Sequence, residues 1–91
     1  MYNKLNKKIL FFTSSTCNPC KIMKRQLDVY PIDDILTIID VYSNDMENYN
    51  EFTIESVPTV LLMKNDEIID IIHGIKSNKE LNETLTIYLG D

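Results

Sequence analysis

The apolar positions of this chain fall into short runs and helical stripes, separated by polar punctuation. Residues 8–13 form a mostly apolar run of strand length. Ser14, Ser15 and Thr16 break it. Asn18 and Pro19 then suit a helix start, because a proline in the first turn lacks only an N–H that would have no helical acceptor. Cys20, Met23, Leu27 and Tyr30 recur at helical spacing and predict one buried stripe, which Pro31 ends by disfavouring helix at Tyr30. Residues 35–42 read as a second buried strand, and a strand-helix-strand order implies a right-handed parallel crossover. Asn44 or Asp45 can cap a short helix with Met46, Tyr49 and Phe52 on one side. Residues 59–63 and 68–72 are two further apolar runs, joined by Lys64-Asn65-Asp66-Glu67, whose Asn-Asp pair predicts a tight hairpin. Ser77 and Glu80 form a capping box ahead of a last helix faced by Leu81, Leu85, Tyr88 and Leu89.

The order β-α-β-α-β-β-α predicts an α/β fold: a four-stranded mixed sheet flanked by helices. Helices on both faces account for the unbroken apolar runs, since strands covered twice need not alternate.

Length and composition narrow the class. Ninety-one residues make a single domain spanning 1–91 the expectation. With 44% hydrophobic and 25% charged residues the chain lies in the globular range, which excludes disorder. A net charge of −5 argues against nucleic acid or an anionic membrane as partner, since both select a basic face. Ala and Trp are absent while Ile, Asn and Lys abound, a bias that fits an AT-rich bacterial or phage genome. The apolar run after Lys4, Lys7 and Lys8 is too short for a secretory signal, so a cytoplasmic location is expected. There, two cysteines point to redox or metal chemistry rather than a static crosslink.

The chemistry concentrates in Cys17-Asn18-Pro19-Cys20, between a predicted strand and a predicted helix. This spacing at a helix start brings two sulfurs towards bonding distance. It also places Cys17 where unpaired N–H groups and the helix dipole favour a thiolate. A thiol of pKa ~8.5 is about 3% ionised at pH 7, and one lowered to ~7 is about half ionised. Nucleophilicity falls as the pKa falls, so the net gain is several-fold. Lys21 adds a positive charge, and Ser15 and Thr16 are candidate donors to the sulfur. Two alternatives stand beside redox chemistry: an inert packed pair, or half of a zinc site. Only His73 remains as a further soft ligand, so zinc requires a site shared between two chains, and no metal is expected in one. Ser56-Val57-Pro58-Thr59 marks the entry to the third strand, where a proline is tolerated.

The stretches 9–21 (ILFFTSSTCNPCK), 39–41 (IDV) and 54–67 (IESVPTVLLMKNDE), with Gly74 before the last helix, resemble the thioredoxin family. The resemblance covers about residues 8 to 90. It implies the thioredoxin fold and thiol–disulfide exchange, with Cys17 as nucleophile, Cys20 as resolving thiol and the motif's Asn18, Pro19 and Lys21 as auxiliary residues. It further implies that Pro58 is cis and packs beside the sulfurs, that the Val57 backbone binds an extended substrate segment, and that Gly74 borders the same surface. No cofactor is implied beyond a reversible Cys17–Cys20 disulfide. The implied partners are disulfide-containing proteins, with ribonucleotide reductase as one example, and an external reductase or low-molecular-weight thiol. A monomer is expected.

The sequence departs from the family pattern at several places. Phe11 stands where thioredoxins usually bury an Asp. Thr13 and Thr16 occupy two usual Trp positions, Asn18 the motif's Gly, and Arg25 the helix-kinking Pro. Glutaredoxins share the fold and lack the acid, but His73-Gly74-Ile75 replaces their paired glycines, so a glutaredoxin-like reductase ranks second. A thioredoxin-fold binding subunit with an incidental redox motif is the remaining alternative.

Overall fold

The computed structural model describes residues 2–90; Met1 and Asp91 of the expected domain lie outside the described residues. The elements are β1 (Lys7–Thr13), α1 (Asn18–Leu27), β2 (Leu36–Asp40), a 3-10 segment (Asn44–Tyr49), β3 (Thr59–Lys64), β4 (Glu67–His73) and α2 (Asn78–Gly90). The sheet order is β2-β1-β3-β4. β1 pairs in parallel with β2 (Phe11 opposite Ile38) and antiparallel with β3 (Phe11 opposite Val60), and β3 and β4 form the hairpin. Asn65 and Asp66 turn that hairpin with positive φ angles of 53° and 64°, the left-handed pair that a two-residue turn requires.

Alternation along the strands divides the core in two. Ile9, Phe11, Val60, Leu62 and Ile72 face one side, where Cys20, Met23 and Leu27 of α1 and Leu81, Leu85, Tyr88 and Leu89 of α2 bury them. These are the helical stripes expected from the sequence, except that α1 ends at Leu27 and leaves Tyr30 outside the helix. Asp28 closes α1 as its C-cap, with its N–H on the Lys24 carbonyl (3.0 Å).

Leu10, Phe12, Ile39, Leu61 and Met63 face the other side. Here the expected short helix is a 3-10 helix rather than an α-helix, with Ser43 rather than Asn44 or Asp45 at its N-cap. The 3-10 segment buries no residue fully, and Ser43 supplies no side-chain cap to extend it. So short a polar stretch lacks the length to propagate an α-helix. Cover comes from partly buried Met46, Tyr49, Phe52, Ile54 and Val57. Tyr49 and Phe52 meet Phe12 edge-on, with ring centroids at 5.9 and 6.5 Å.

This cover stops short of β4. Ile68 and Ile71 are exposed, as is Ile69 beside Glu83, Thr84 and Ile87 of α2, and only Ile72 in the predicted run is buried. A bulge interrupts the β3–β4 register at Leu62/Met63, and the Ile71 N–H bonds to Asp70 Oδ1 (2.8 Å).

Tyr88 locks α2 to the sheet. Its hydroxyl reaches the carbonyls of Met63 (2.5 Å) and Lys8 (3.2 Å) on adjacent strands. Lys7, buried despite its charge, donates to the Tyr88 carbonyl (2.7 Å) and lies over the Tyr88 ring.

Candidate active site

The strand directions gather the candidate residues at one end of the sheet. β1 runs out at Thr13, and antiparallel β3 begins at Thr59 opposite Phe12. β4 returns to finish at His73, opposite Thr59. Beyond β2, the Val41 N–H bonds the Thr13 carbonyl (2.9 Å). The loop after β1, the Val57-Pro58 segment and Gly74 therefore converge there.

The loop is folded by a buried serine. Ser14 Oγ accepts the Thr16 N–H (3.4 Å) and lies 3.2 Å from Thr16 Oγ1. The Ser14 carbonyl accepts the Cys17 N–H (3.2 Å). Thr16 is thus turned towards Ser14, Ser15 is exposed, and the donor to the Cys17 sulfur is the Cys20 backbone N–H (3.2 Å) instead. Ser14 was not among the residues singled out by sequence. The signal for it is a small hydroxyl directly after a strand with a second hydroxyl two residues on, a pattern that favours such turns.

Cys17 is the N-cap of α1, with extended backbone (φ −92°, ψ 105°) and its sulfur in the position a capping serine oxygen would take. Asn18 and Pro19 fill the exposed first turn. Cys17 and Cys20 form a disulfide with their Cα atoms 5.2 Å apart, inside the usual range. Their exposures differ: Cys17 is half-buried, whereas Cys20 is 2% exposed and belongs to the first core cluster. Lys21 follows, with its N–H on the Cys17 carbonyl (3.4 Å).

The Val57–Pro58 peptide is cis. Pro58 is buried, and Val57 packs between the two core clusters. The Pro58 carbonyl accepts the Gly74 N–H (3.0 Å), which ties the end of β4 to the start of β3. Gly74 has φ +67°, a left-handed conformation that a side chain would strain.

Two cavities lie on opposite faces of the sheet near this end. One, of about 310 Å³, lies on the second face beside Val57 and is lined by Val41, Tyr42, Met46, Ile54, Glu55 and Ser56. The other, of about 360 Å³, lies on the first face beside Cys20. Phe11 is 1% exposed and lies at its apolar base. Among the described residues no cluster of three or more His, Cys, Asp or Glu could hold a metal.

Comparison with known proteins gives a concordant result. The family model described as Thioredoxin matches residues 2–87. A thioredoxin from Buchnera aphidicola subsp. Acyrthosiphon pisum is 36% identical over 87 residues, covering 89% of this chain and 81% of that protein. NADPH-dependent thioredoxin reductase 3 of Arabidopsis thaliana is 33% identical over 88 residues, covering 91% of this chain but 16% of that longer protein. In structure, the thioredoxin of Malassezia sympodialis superposes with a TM-score of 0.72 at 23% identity, over 91% of this chain and 75% of that one, a likeness of fold. With a matching fold, a matching family model and a bonded cysteine pair at a helix start, the chain belongs to the thioredoxin family and is a thiol–disulfide oxidoreductase that works by dithiol exchange.

Proposed function

We propose that this protein reduces disulfides in other proteins, with Cys17 as the attacking thiolate and Cys20 as the resolving thiol. The observation that carries the assignment is the asymmetry of the pair. Cys17 caps α1, accepts the Cys20 N–H and is partly exposed, while Cys20 is enclosed. In the reduced protein that N–H and the dipole stabilise negative charge on Cys17, the less buried of the two cysteines and hence the one a foreign disulfide meets first.

The Cys17 thiolate attacks one sulfur of the target disulfide. A mixed disulfide forms, and the target's other sulfur leaves as a thiolate. Cys20 then attacks Cys17, the second target sulfur departs, and the Cys17–Cys20 bond closes. Two electrons pass to the target. Phe11 offers no carboxylate beside Cys20, so the Cys20 proton goes to water or to the target thiolate released in the first step. Val57, before the buried cis proline, presents its backbone to an extended segment of the target, and Gly74 leaves room at the rim. Asn18, Pro19 and Lys21 shape the entrance.

An external reductase or small thiol restores the dithiol. The likeness to part of an NADPH-dependent thioredoxin reductase supports the former. Enzymes that form a disulfide at each turnover, ribonucleotide reductase among them, are suited targets. The protein acts as a cytoplasmic monomer with no further cofactor.

Insulin reduction tests the roles. Cys17→Ser abolishes it, and Cys20→Ser accumulates a mixed disulfide with the target. Activity retained by Cys17→Ser refutes the assignment. Equilibration with a dithiothreitol or glutathione buffer places the couple nearer about −270 mV than about −120 mV if the protein is a reductant.

A further inference from the structure

α1 carries Lys21, Lys24 and Arg25 and no acidic side chain, in a chain of net charge −5. Lys24 pairs with Asp28. Lys21 and Arg25 are four residues apart, hence neighbours on the helix surface, and neither forms an ion pair among the described residues. Lys21 also lies in the first turn, where the helix dipole disfavours a cation. The fold makes no use of this charge.

The cations wall the 360 Å³ groove beside Cys20, whose floor is Phe11, Thr13, Cys20 and Ile38. Ile38 is 46% exposed because β2 is an edge strand. The groove thus combines an apolar floor, two uncompensated cations and a strand edge with unpaired backbone groups.

We propose that this groove docks an extended acidic segment of a protein partner, with carboxylates on Lys21 and Arg25 and an apolar side chain between them against the exposed Ile38. The strand edge favours a polypeptide, which can pair with it, over a small anion. The site lies across the sheet from the cavity beside Val57, so a protein held at the sulfurs can engage it with a second segment. Binding here needs no sulfur chemistry, so this inference goes beyond dithiol exchange and fails separately from it.

The test uses the oxidised protein and an acetylated, amidated peptide, Glu-Leu-Glu-Val-Glu, followed by amide NMR. The peptide shifts Thr13, Lys21, Arg25 and Ile38. Its Gln-for-Glu counterpart binds at least about tenfold more weakly, as does the Glu peptide to Arg25→Glu or to Ile38→Ser, a tenfold loss being the scale of one good contact. Arg25→Glu still turns over hydroxyethyl disulfide at the parent rate, which separates docking from exchange. The inference is overturned by no shifts at about millimolar peptide, by equal affinity for the Gln peptide, by undiminished binding to Arg25→Glu, or by octanoate displacing the peptide at equal concentration.

Discussion

Replacing Tyr88 by Phe removes one oxygen from the interior and almost no volume. In the parent protein that oxygen reaches the Met63 carbonyl at 2.5 Å and the Lys8 carbonyl at 3.2 Å, and the residue is 3% exposed. The variant loses a neutral buried hydrogen bond and leaves carbonyl lone pairs without that donor. The cost is about 1.5 kcal/mol, which in a domain of this size lowers Tm by about 6–12 °C. Thermal unfolding followed by far-ultraviolet circular dichroism measures it. The same oxygen gives a pH signature, because burial pushes the Tyr88 phenol up to about 12 from the ordinary 10. The fold therefore favours the neutral phenol over the phenolate. Its contribution is fully present below pH 10 and is lost as pH rises through 12. Burial also raises Tyr30, but Tyr30 is common to both proteins and drops out of the difference. The stability gap between parent and Tyr88→Phe should thus be constant up to about pH 9 and shrink above 10. A Tm change under about 1 °C, or a gap that does not narrow with pH, refutes the account of this contact.

Other outcomes follow from single features. Phe11→Ala opens a cavity in the first core cluster and destabilises by about 3–5 kcal/mol, read from urea midpoints; a loss under 1 kcal/mol shows the site collapsing to fill it. Gly74→Ala meets no atom within 4 Å but must hold φ +67°, so it destabilises by about 1 kcal/mol, and Asn at this position costs less than Ala. The Lys4 hydrogen bond (2.9 Å) holds the exposed Asp34 carboxyl below its usual value, so Lys4→Ala raises the Asp34 midpoint in an NMR titration.

The parts of the fold legible in the sequence are those where pattern and packing coincide. The stripe Cys20, Met23, Leu27 is the face α1 buries, and Leu81, Leu85, Tyr88, Leu89 is that of α2. The apolar run 68–72 misled because its meaning depends on the neighbour. The same isoleucines are core in a central strand and surface in β4, and periodicity carries no record of which strand lies at the edge. The second helix differs in type: Met46, Tyr49 and Phe52 do share a side over Phe12, but residues 44–49 form a 3-10 helix and Phe52 lies beyond its end. At the site, the cysteine spacing disclosed the chemistry. Ser14 reads in the sequence only as part of a polar break, because its role lies in a turn that one hydroxyl closes on another. The burial of Lys7 was equally hidden, since its partner carbonyl lies at the far end of the chain, on Tyr88.

The margin of β4 has a bearing on solubility. Ile-Ile-Asp-Ile-Ile, read as composition, is close to the segments from which cross-β fibres assemble. The single carboxylate and the irregular pairing beside it make this border a poor template for another molecule's backbone. Asp70 is in this sense a gatekeeper: Asp70→Val, expected to spare the redox centre, should convert a well-behaved solution into one that forms thioflavin-positive aggregates.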